Sequence, residues 1–532
     1  MANGIFSPPL TIKTEGDAMN ITYLLFFLCI VFCTLIITYW AARQSKTTNQ
    51  FYVAAGSLTG TQNGMAIAGD YISAASFLGI VGTIAINGFD GLLYAIGFLV
   101  SYLIVLFFIA EPVHHLGKYS LGDVVCSRFP SYRMRGIMAV GALIISVLYM
   151  IPQLVAAGLL IRLLLNISYS NSVIIIGILM TIYVVFGGMF ATSWVQIVKT
   201  VLLLSGSFLL ALILFSRFDW SMSILLEQVT LRSPFGEQFS LPGHLFHNPL
   251  ETVSLHLALI LGTAGLPHIL IRLLTVRNSV EVRKSVLTAS WIIGVFYLIA
   301  LVLGLGAVAL VGFEDLVALD PSGNLAAPLL AEELGGDFLM AFIAAIAFTT
   351  IVAVVAGLVI SATTAFSHDI YFHIIKKGNT TEKKRMQAAR WTAFFIGLLS
   401  TLLALGLRNM NVTFLVSLTF IVAASSNLPV LLLTIYWRRF NQTGAITGMV
   451  CGLTASILLL IVGPHMMNLE GGWIRREALI PLYNPGIIAI PIGFLGAYLG
   501  TVLSRNKKGN IVPFDSFYMR AQTGIDARRE SS

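Results

Sequence analysis

"AIAGDYISAAS", residues 66–76, places the carboxylate of Asp70 inside a long apolar run. Gly69 directly precedes this carboxylate, and Ser73 and Ser76 follow it. Glycine and serine are poor residues for a continuous helix, so the stretch predicts a break. Backbone carbonyls freed at such a break are tolerated in a bilayer only where they line a cavity. We therefore expect a discontinuous helix that supports an ion or substrate site; the alternative is that Asp70 simply bonds a neighbouring helix.

The composition around this stretch is that of a membrane protein. The chain has 532 residues, of which 57% are hydrophobic and only 11% are charged, whereas soluble domains carry about 25% charged residues. The formal net charge of +8 comes from residues spread over the loops between apolar runs. We therefore expect membrane lipid as the surroundings and no nucleic acid as a partner.

Thirteen runs have about the length, roughly 20 residues, that is needed to cross the hydrocarbon core. They predict an all-α integral membrane protein with spans at 21–41, 62–86, 91–110, 136–161, 172–190, 195–216, 252–275, 286–312, 338–366, 391–407, 411–437, 443–463 and 483–503.

The loop charges predict the orientation of these spans. With the N-terminus outside, 23 Lys and Arg fall on the inner side, 6 on the outer side and 3 within spans, which together make the 32 of the chain. Positive charge marks the cytoplasmic face, so we expect a multi-pass protein of the plasma membrane, most simply a bacterial one, with a cytoplasmic C-terminus.

Three regions follow from this assignment: an extracytoplasmic segment at 1–20, the transmembrane domain at 21–503 and a cytoplasmic tail at 504–532. The first segment has no apolar core, so no cleavable signal peptide is expected. The four cysteines show neither a metal-ligand nor a disulfide pattern.

A second break is predicted in "GTAGLPHILIR", residues 262–272, where Gly262, Gly265 and Pro267 interrupt the seventh span. Five spans separate the two breaks. This is the spacing of two inverted five-helix repeats with a transport site between them, and it places the repeats at about 62–216 and 252–437. Arg272 is expected nearer the cytoplasmic end of its span than the pocket.

Three separated segments resemble the sodium:solute symporter family. They are "FYVAAGSLTG" (51–60), "YVVFGGMFATSWVQIVK" (183–199) and "AASSNLPVLLLTIYWRRFNQTGAITG" (423–448). Within the family the chain is most similar to the acetate permease, or cation/acetate symporter, branch. That closer resemblance lies in "AGDYISAASFLGI" (68–80), "LGTAGLPHIL" (261–270), "TIVAVVAGL" (350–358), "SHDIY" (367–371) and "RAQTGI" (520–525).

The resemblance implies a LeuT-like core and a sodium site between the second and ninth spans. Its backbone-carbonyl ligands would be Gly69, Ile72 and Thr350. The family's two hydroxyl ligands would fall on Ala353 and Val354, neither of which has a hydroxyl, and an alkyl group offers a hard cation no lone pair.

Two substitutes for the missing hydroxyls remain open. Thr349 or Thr350 could supply an oxygen from a turn away. Alternatively, Asp70 could carry the coupling charge itself, as a cation ligand or as a proton carrier. Sodium is thus the expected coupling ion and the proton is the alternative, and no cofactor is implied.

The resemblance also implies a short monocarboxylate as the substrate: acetate first, then propionate, glycolate or pyruvate. A carboxylate needs hydrogen-bond donors and the positive ends of half-helices. The candidate substrate-binding residues near the two breaks are Tyr71, Ser73, Ser76, Gln153, Thr263 and His268.

The sequence allows two alternative functions and argues against a third. The family resemblance also allows a symporter for another small solute, such as an amino acid or a vitamin. A channel-like permease is the second alternative, although paired broken helices favour alternating access. An enzyme is not expected, because the loops carry no nucleophile triad, metal cluster or phosphate-binding motif.

Overall fold

The computed structural model describes residues 52–185, 189–246, 248–407, 410–468, 474–504 and 512–525, together with five positions between 25 and 36. The fold of these residues is almost entirely helical, as expected. The first predicted span, 21–41, and the segment 1–20 lie almost wholly outside the described residues.

The described residues form nineteen α-helices, α1 to α19 in chain order. Their bounds are Gly60–Tyr71, Ile80–Asn87, Phe89–Ile104, Ala110–Leu116, Leu121–Cys126, Tyr132–Leu165, Tyr169–Val185, Met189–Arg217, Met222–Arg232, Pro249–Gly262, Pro267–Leu270, Ser279–Leu310, Phe313–Leu319, Ala326–Thr364, Glu382–Leu405, Val412–Tyr436, Gln442–Val462, Gly486–Leu503 and Phe514–Thr523. Shorter π-helical and 3-10 segments join some of them. The π-helical segments are Ala75–Gly79, Val105–Ile109 and Ala365–Ile375, and the 3-10 segments are Ala54–Gly56, Gly236–Ser240, Thr263–Gly265 and Ile271–Leu274.

In the described part of the chain, nine helices are long and apolar enough to cross a membrane, and two bent pairs raise the number to eleven. The fifth predicted span, 172–190, corresponds to α7, whose apolar part is shorter than the others. The number thirteen therefore stays a prediction.

The first predicted break is present. Thr59 and Gln62 cap the start of α1 reciprocally, and the helix ends at Tyr71. The next residues leave the helical path, and the chain resumes as the π-helical turn that leads into α2, bent by 61° from α1. The glycine and serine content of this stretch thus indicated the position of the break correctly.

The second predicted break is also present. Helix α10 runs into the short 3-10 turn at Thr263–Gly265, and α11 begins at Pro267 after a bend of 45°. Proline has no backbone N–H, so it can begin a helix but cannot continue one without losing a hydrogen bond. Leu266 is extended, with ψ 115°, which is the conformation that a residue before proline prefers.

Helices α14 and α16 hold the two breaks in the interior of the bundle. In the most apolar part of α14 every residue is buried, and in that of α16 83% of the residues are. In the corresponding parts of α17 and α18 only 33% are buried. At the first break, the hydroxyl of Thr413 at the start of α16 donates to the carbonyl of Ala75 at 2.8 Å. At the second, Asn427 on α16 donates to the carbonyl of Gly265 at 2.7 Å. The breaks are therefore fixed by hydrogen bonds from the same central helix.

Helix α14 differs from the predicted ninth span, 338–366. It starts at Ala326, twelve residues earlier, and beyond its kink it continues into the π-helical segment that ends at Ile375. Gly335 and Gly336 kink it near its start, and Gly336 has a φ of 62°, the left-handed region that glycine adopts without strain. The π-helical continuation of α14 also carries Asp369, another buried carboxylate.

The orientation predicted from the loop charges specifies which surface positions an impermeant reagent should reach. Ser223 on α9 and Asn379 after the Ala365–Ile375 segment are both exposed. In a cysteine-free background, we expect Ser223→Cys to react with an impermeant maleimide in intact cells, whereas Asn379→Cys should react only after permeabilisation. The reverse pattern would overturn the predicted orientation.

Candidate functional site

An ion pair joins the two breaks. Asp70 is the next-to-last residue of α1, and Arg272 lies in the 3-10 turn that continues α11. The Arg272 Nε atom is 2.5 Å from Asp70 Oδ2, and both side chains are fully buried. Arg272 does lie near the end of its span, which closes at Leu274, but its guanidinium is buried against Asp70 instead of lying apart from the breaks.

Helix α8 supplies the other partners of this pair from one face. The Gln196 amide donates to Asp70 Oδ1 and, at 2.8 Å, to the carbonyl of Ala353 on α14. Ser193 accepts a hydrogen bond from Arg272 Nη1, and the Lys199 ammonium donates to the carbonyl of Gly69. We call Asp70, Ser193, Gln196, Lys199 and Arg272 the charged cluster.

Two glycines make room for the charged cluster. A β-carbon on Gly69 would lie 2.6 Å from Thr200 Oγ1, and one on Gly357 of α14 would lie 2.7 Å from Asp70 Oδ1. Distances below 3.0 Å are not tolerated between such atoms, so glycine allows α8 and α14 to approach the end of α1 this closely. Small residues serve close helix approach of this kind in membrane bundles.

The charges of the cluster do not balance. It contains one carboxylate, Asp70, and two basic groups, Lys199 and Arg272, all buried at 1% exposure or less. Both oxygens of Asp70 are already bonded, one by Arg272 and the other by Gln196. With both basic groups protonated, the cluster carries an excess positive charge, and a buried charge without a partner is strongly unfavourable.

Sequence reasoning missed three members of the cluster. Ser193, Gln196 and Lys199 all lie in the segment 183–199, which served only to indicate the family. A lysine within an apolar span is as rare as an aspartate there. This was the signal that could have pointed to Lys199 as a partner of the Asp70 region.

Several groups in the expected sodium site make hydrogen bonds within the protein. The carbonyl of Gly69 accepts from Lys199, and that of Ala353 accepts from Gln196. The Thr349 hydroxyl donates within its own helix to the carbonyl of Ala345 at 2.9 Å. In the described structure, the buried Thr350 hydroxyl has no hydrogen-bond partner. The Ile72 amide caps α1 by donating to the carbonyl of Ala68.

The candidate substrate-binding residues at the first break stabilise its backbone conformation. Gln153 on α6 accepts from the backbone amide of Ala74 at 3.2 Å, and Ser73 accepts from Ala75 at 3.2 Å. The Ser76 hydroxyl donates to the carbonyl of Tyr71 at 3.2 Å. These side chains thus bond backbone groups that the broken helix leaves without their usual partners.

A second group of hydroxyls connects both breaks to α3. The Tyr71 hydroxyl donates to the carbonyl of Phe98 at 2.9 Å and lies 3.3 Å from the hydroxyl of Thr263. Thr263 in turn donates to Ser101 at 2.7 Å. Tyr71 and Thr263, which are 192 residues apart in the chain, therefore meet where the two breaks face each other.

His268 is brought to the same region but has a different environment. Its ring packs against the edge of Tyr149 with centroids 4.8 Å apart, and Tyr149 also lies 6.3 Å from Phe420 of α16. His268 is 2% exposed, and within the described residues neither ring nitrogen has a hydrogen-bond partner. The same holds for Gln153 Nε2 and Arg272 Nη2. The region therefore contains buried polar nitrogens without a hydrogen-bond partner among the described residues.

A separate polar network lies at the far end of α14. Arg135 of α6 bridges Asp123 at 2.6 Å and Asp369 at 2.7 Å, and His368 lies 3.3 Å from Asp123. Burial opposes ionisation of Asp123, but His368 and Arg135 hold the pKa of this carboxyl below its usual range. Asp123, His368 and His373 form a group that could hold a metal ion. The Arg135 guanidinium, however, already bonds the carboxylates of Asp123 and Asp369. The contacts therefore favour a network of ion pairs over a metal site.

A narrow cleft lies between this network and the second break. Pro267, Ile271 and Asn427 line the end near the break, and Ser120 and Asp369 line the other. The cleft thus extends from the second break to the polar network at the end of α14.

Comparison with known proteins identifies the family and the fold. A family model described as the sodium:solute symporter family matches residues 51–452. A protein of Bacillus subtilis (strain 168), named uncharacterized symporter YwcA, is 55% identical over 513 residues, which cover 96% of this chain and all of that protein.

Two solved structures share the fold at low sequence identity. A Na⁺-coupled sialic acid symporter in a substrate-bound, outward-open state has a TM-score of 0.72 at 16% identity and covers 92% of this chain and 99% of its own. Mhp1, a nucleobase-cation-symport-1 family transporter in a closed conformation with bromovinylhydantoin bound, has a TM-score of 0.53 at 13% identity and covers 91% and 98%. These likenesses confirm the expected all-α fold with discontinuous helices in two inverted repeats. The chain therefore belongs to the sodium:solute symporter family, a family of transporters rather than enzymes, and is a multi-pass, cation-coupled membrane symporter.

Proposed function

We propose that this symporter takes up a short monocarboxylate, acetate first, and then propionate, glycolate or pyruvate. The observation that carries the proposal is the excess positive charge of the charged cluster beside the two breaks. One carboxylate faces two basic groups in a fully buried site. A second, exchangeable carboxylate supplied by the substrate balances the charge.

The donors at the site support a carboxylate as the cargo. Arg272 Nη2 and Gln153 Nε2 are buried donors without a partner in the described structure, and the His268 ring beside them can donate from one nitrogen. A carboxylate accepts several such bonds, and bonds between charged groups are about twice as strong as neutral ones. The helical segment that begins at Ala75 also points its positive end towards the first break.

An aromatic cluster beside the breaks supports a short cargo. Tyr71, Tyr149 and Phe98 surround Phe420 with ring centroids 5.1 to 6.3 Å apart. Such an aromatic wall suits a methyl group or a short alkyl chain, whereas the polar groups lie on the side of the breaks. A monocarboxylate with one polar end and one small apolar end matches this division.

Coupling to a cation is energetically appropriate for an anionic cargo. Moving one anion into a negative-inside cell costs about 2.3 kcal/mol per 100 mV of membrane potential. One cation moved with each anion cancels this cost. The family's name favours sodium as this cation, and a proton is the alternative. We place the transporter in a bacterial plasma membrane with its C-terminus in the cytoplasm.

Uptake of labelled acetate into proteoliposomes tests the substrate. We expect concentrative uptake that unlabelled propionate, glycolate or pyruvate reduces, whereas proline and pantothenate leave it unchanged. Protein-free liposomes give the passive entry of the undissociated acid, which is subtracted. Inhibition by proline or pantothenate but not by the monocarboxylates would instead support the alternative, a symporter for an amino acid or a vitamin.

Asp70→Asn should remove the counter-charge of Arg272. Breaking a buried ion pair by removing one partner costs about 3–5 kcal/mol. We expect a lower melting temperature in detergent and at least about a tenfold decrease in acetate uptake per folded molecule, since roughly 1.4 kcal/mol corresponds to tenfold.

Asp90→Asn is a matched control for this substitution. Asp90 is equally buried, but it accepts hydrogen bonds from the backbone amides of Gly243, Leu245 and Phe246 in a loop away from the breaks. We expect this variant to lose stability while its folded fraction transports acetate within about twofold of the unsubstituted protein. Normal concentrative uptake by Asp70→Asn would exclude Asp70 from the mechanism.

A further inference from the structure

The last described helix, α19, packs one face against the bundle. Phe517 is 2% exposed and Ala521, one turn further on, is fully buried, whereas Met519 on the other side is 49% exposed. Residues three or four positions apart share one face of a helix, so α19 is docked through its apolar side. It lies at the same end of the bundle as the polar network of Asp123, because its partner Arg128 follows the short helix α5 that carries Asp123.

Arg128 connects α19 to the end of α16. This arginine is 1% exposed, and its guanidinium donates to the carbonyls of Thr434 at 2.5 Å and Trp437 at 3.0 Å. These carbonyls belong to the last turn of α16, which a helix leaves without partners of its own. The guanidinium also lies 4.8 Å from the ring of Phe514 and 5.6 Å from that of Phe517. The aromatic face of α19 therefore covers the group that caps α16.

His115 connects the other end of α19 to a different part of the bundle. Its Nδ1 atom donates to the carbonyl of Ala521 at 2.8 Å, and its Nε2 atom accepts from the hydroxyl of Ser279, the first residue of α12, at 2.6 Å. One neutral imidazole makes both bonds, since one nitrogen donates and the other accepts. The preceding residue of α4, His114, donates to the carbonyl of Leu273 at 2.8 Å. Leu273 lies in the 3-10 turn that follows the second break.

The two anchors of α19 thus hold the two elements that line the near end of the cleft. Pro267 and Ile271 belong to the second break and its continuation, and Asn427 belongs to α16. Helix α4 is bonded to the turn that contains Ile271, and Arg128 is bonded to the end of the helix that carries Asn427. For the cleft to widen, α11 and α16 must separate, and α19 spans the partners of both.

We infer that α19 is an intramolecular strap that restrains the widening of this cleft and must leave its seat for the cleft to open. In the predicted orientation this end of the bundle faces the cytoplasm, so the strap governs the opening of the path towards that side. The inference goes beyond the proposed function, because it concerns the path and holds for any cargo.

The contacts of the strap suit reversible docking. An isolated helix shorter than about 12–15 residues is only marginally stable in water, and α19 has 10 residues. Its stability therefore depends on its seat. The ion pair between Arg438 and Asp515 is exposed on both sides and contributes little, as surface pairs do. The buried ring of Phe517 and the contacts of Arg128 and His115 thus account for most of the docking.

A cysteine in the cleft reports its widening. Ser361 lines the cleft and is 3% exposed. In a cysteine-free background in detergent, adding Phe517→Ala should raise the rate at which Ser361→Cys reacts with a maleimide at least about tenfold. Truncation of a buried phenylalanine weakens docking by more than the roughly 1.4 kcal/mol that tenfold requires. Met519→Ala, on the exposed side of the same helix, should leave the rate within about twofold.

A second reporter separates opening of the cleft from general loosening. Ser400 on α15 is fully buried and lies outside the described lining of the cleft. The rate at Ser400→Cys should not change with Phe517→Ala. An equal rise at Ser400→Cys, an equal rise with Met519→Ala, or no rise at Ser361→Cys would each overturn the strap.

A cross-link tests the strap in the opposite direction. Arg438→Cys and Asp515→Cys replace the exposed pair, and a bis-maleimide with a reducible linker then ties α19 to the end of α16. We expect acetate uptake into proteoliposomes to fall at least about tenfold and to recover when the linker is reduced, whereas Asp515→Cys alone, treated in the same way, keeps its uptake.

The two tests fail in different ways. Uptake that is unchanged by the cross-link would overturn the strap, and this result remains decisive if Phe517→Ala does not fold. Absence of acetate uptake before cross-linking would instead reject the proposed substrate. The rates at Ser361→Cys would then still decide on the strap, because they are measured without any substrate.

Discussion

The buried ion pair between Asp70 and Arg272 is the interaction on which the rest of the site depends. It joins the end of one broken helix to the continuation of another, 202 residues later in the chain. An unpaired charge at this depth would cost about 2.5–3.5 kcal/mol on insertion scales, so the two breaks must meet for either residue to be tolerated. The glycines at 69 and 357 allow the neighbouring helices to enclose the pair.

The same pair explains why the remaining polar groups are arranged around it. Arg272 and Gln196 use both oxygens of Asp70, which leaves Lys199 to a backbone carbonyl. A buried site with one excess positive charge favours the binding of an anion. The proposal of a carboxylate substrate follows from this count of charges.

A second ionic network lies at the end of α14, where Arg135 joins Asp123 and Asp369. It ties the short helix α5 and the start of α6 to the π-helical segment at Ala365–Ile375, and it bounds the cleft that begins at the second break. Helix α14 contacts the charged cluster through Ala353 and Gly357, and the π-helical segment that continues it contacts this network through Asp369. One continuous stretch of the chain therefore links the two polar regions of the interior.

The sequence by itself determined the membrane class, the all-α fold, the family and the approximate positions of both breaks. These features depend on composition and on local residue properties: apolar runs of spanning length, glycine and serine around Asp70, and proline after Gly265. Such properties act within a few residues of the chain, so they can be recognised without knowledge of the packing.

Only the tertiary structure decided which charges meet. Arg272 was expected near a span end, and its inward direction depends on the bend and the 3-10 turn that follow Pro267. Ser193, Gln196 and Lys199 belong to a helix more than 120 residues from Asp70 in the chain, and nothing local to them specifies that carboxylate as a partner. A pairing of this kind results from the approach of helices across the bundle, which is set by small residues at the crossings and by the requirement that buried charges be compensated.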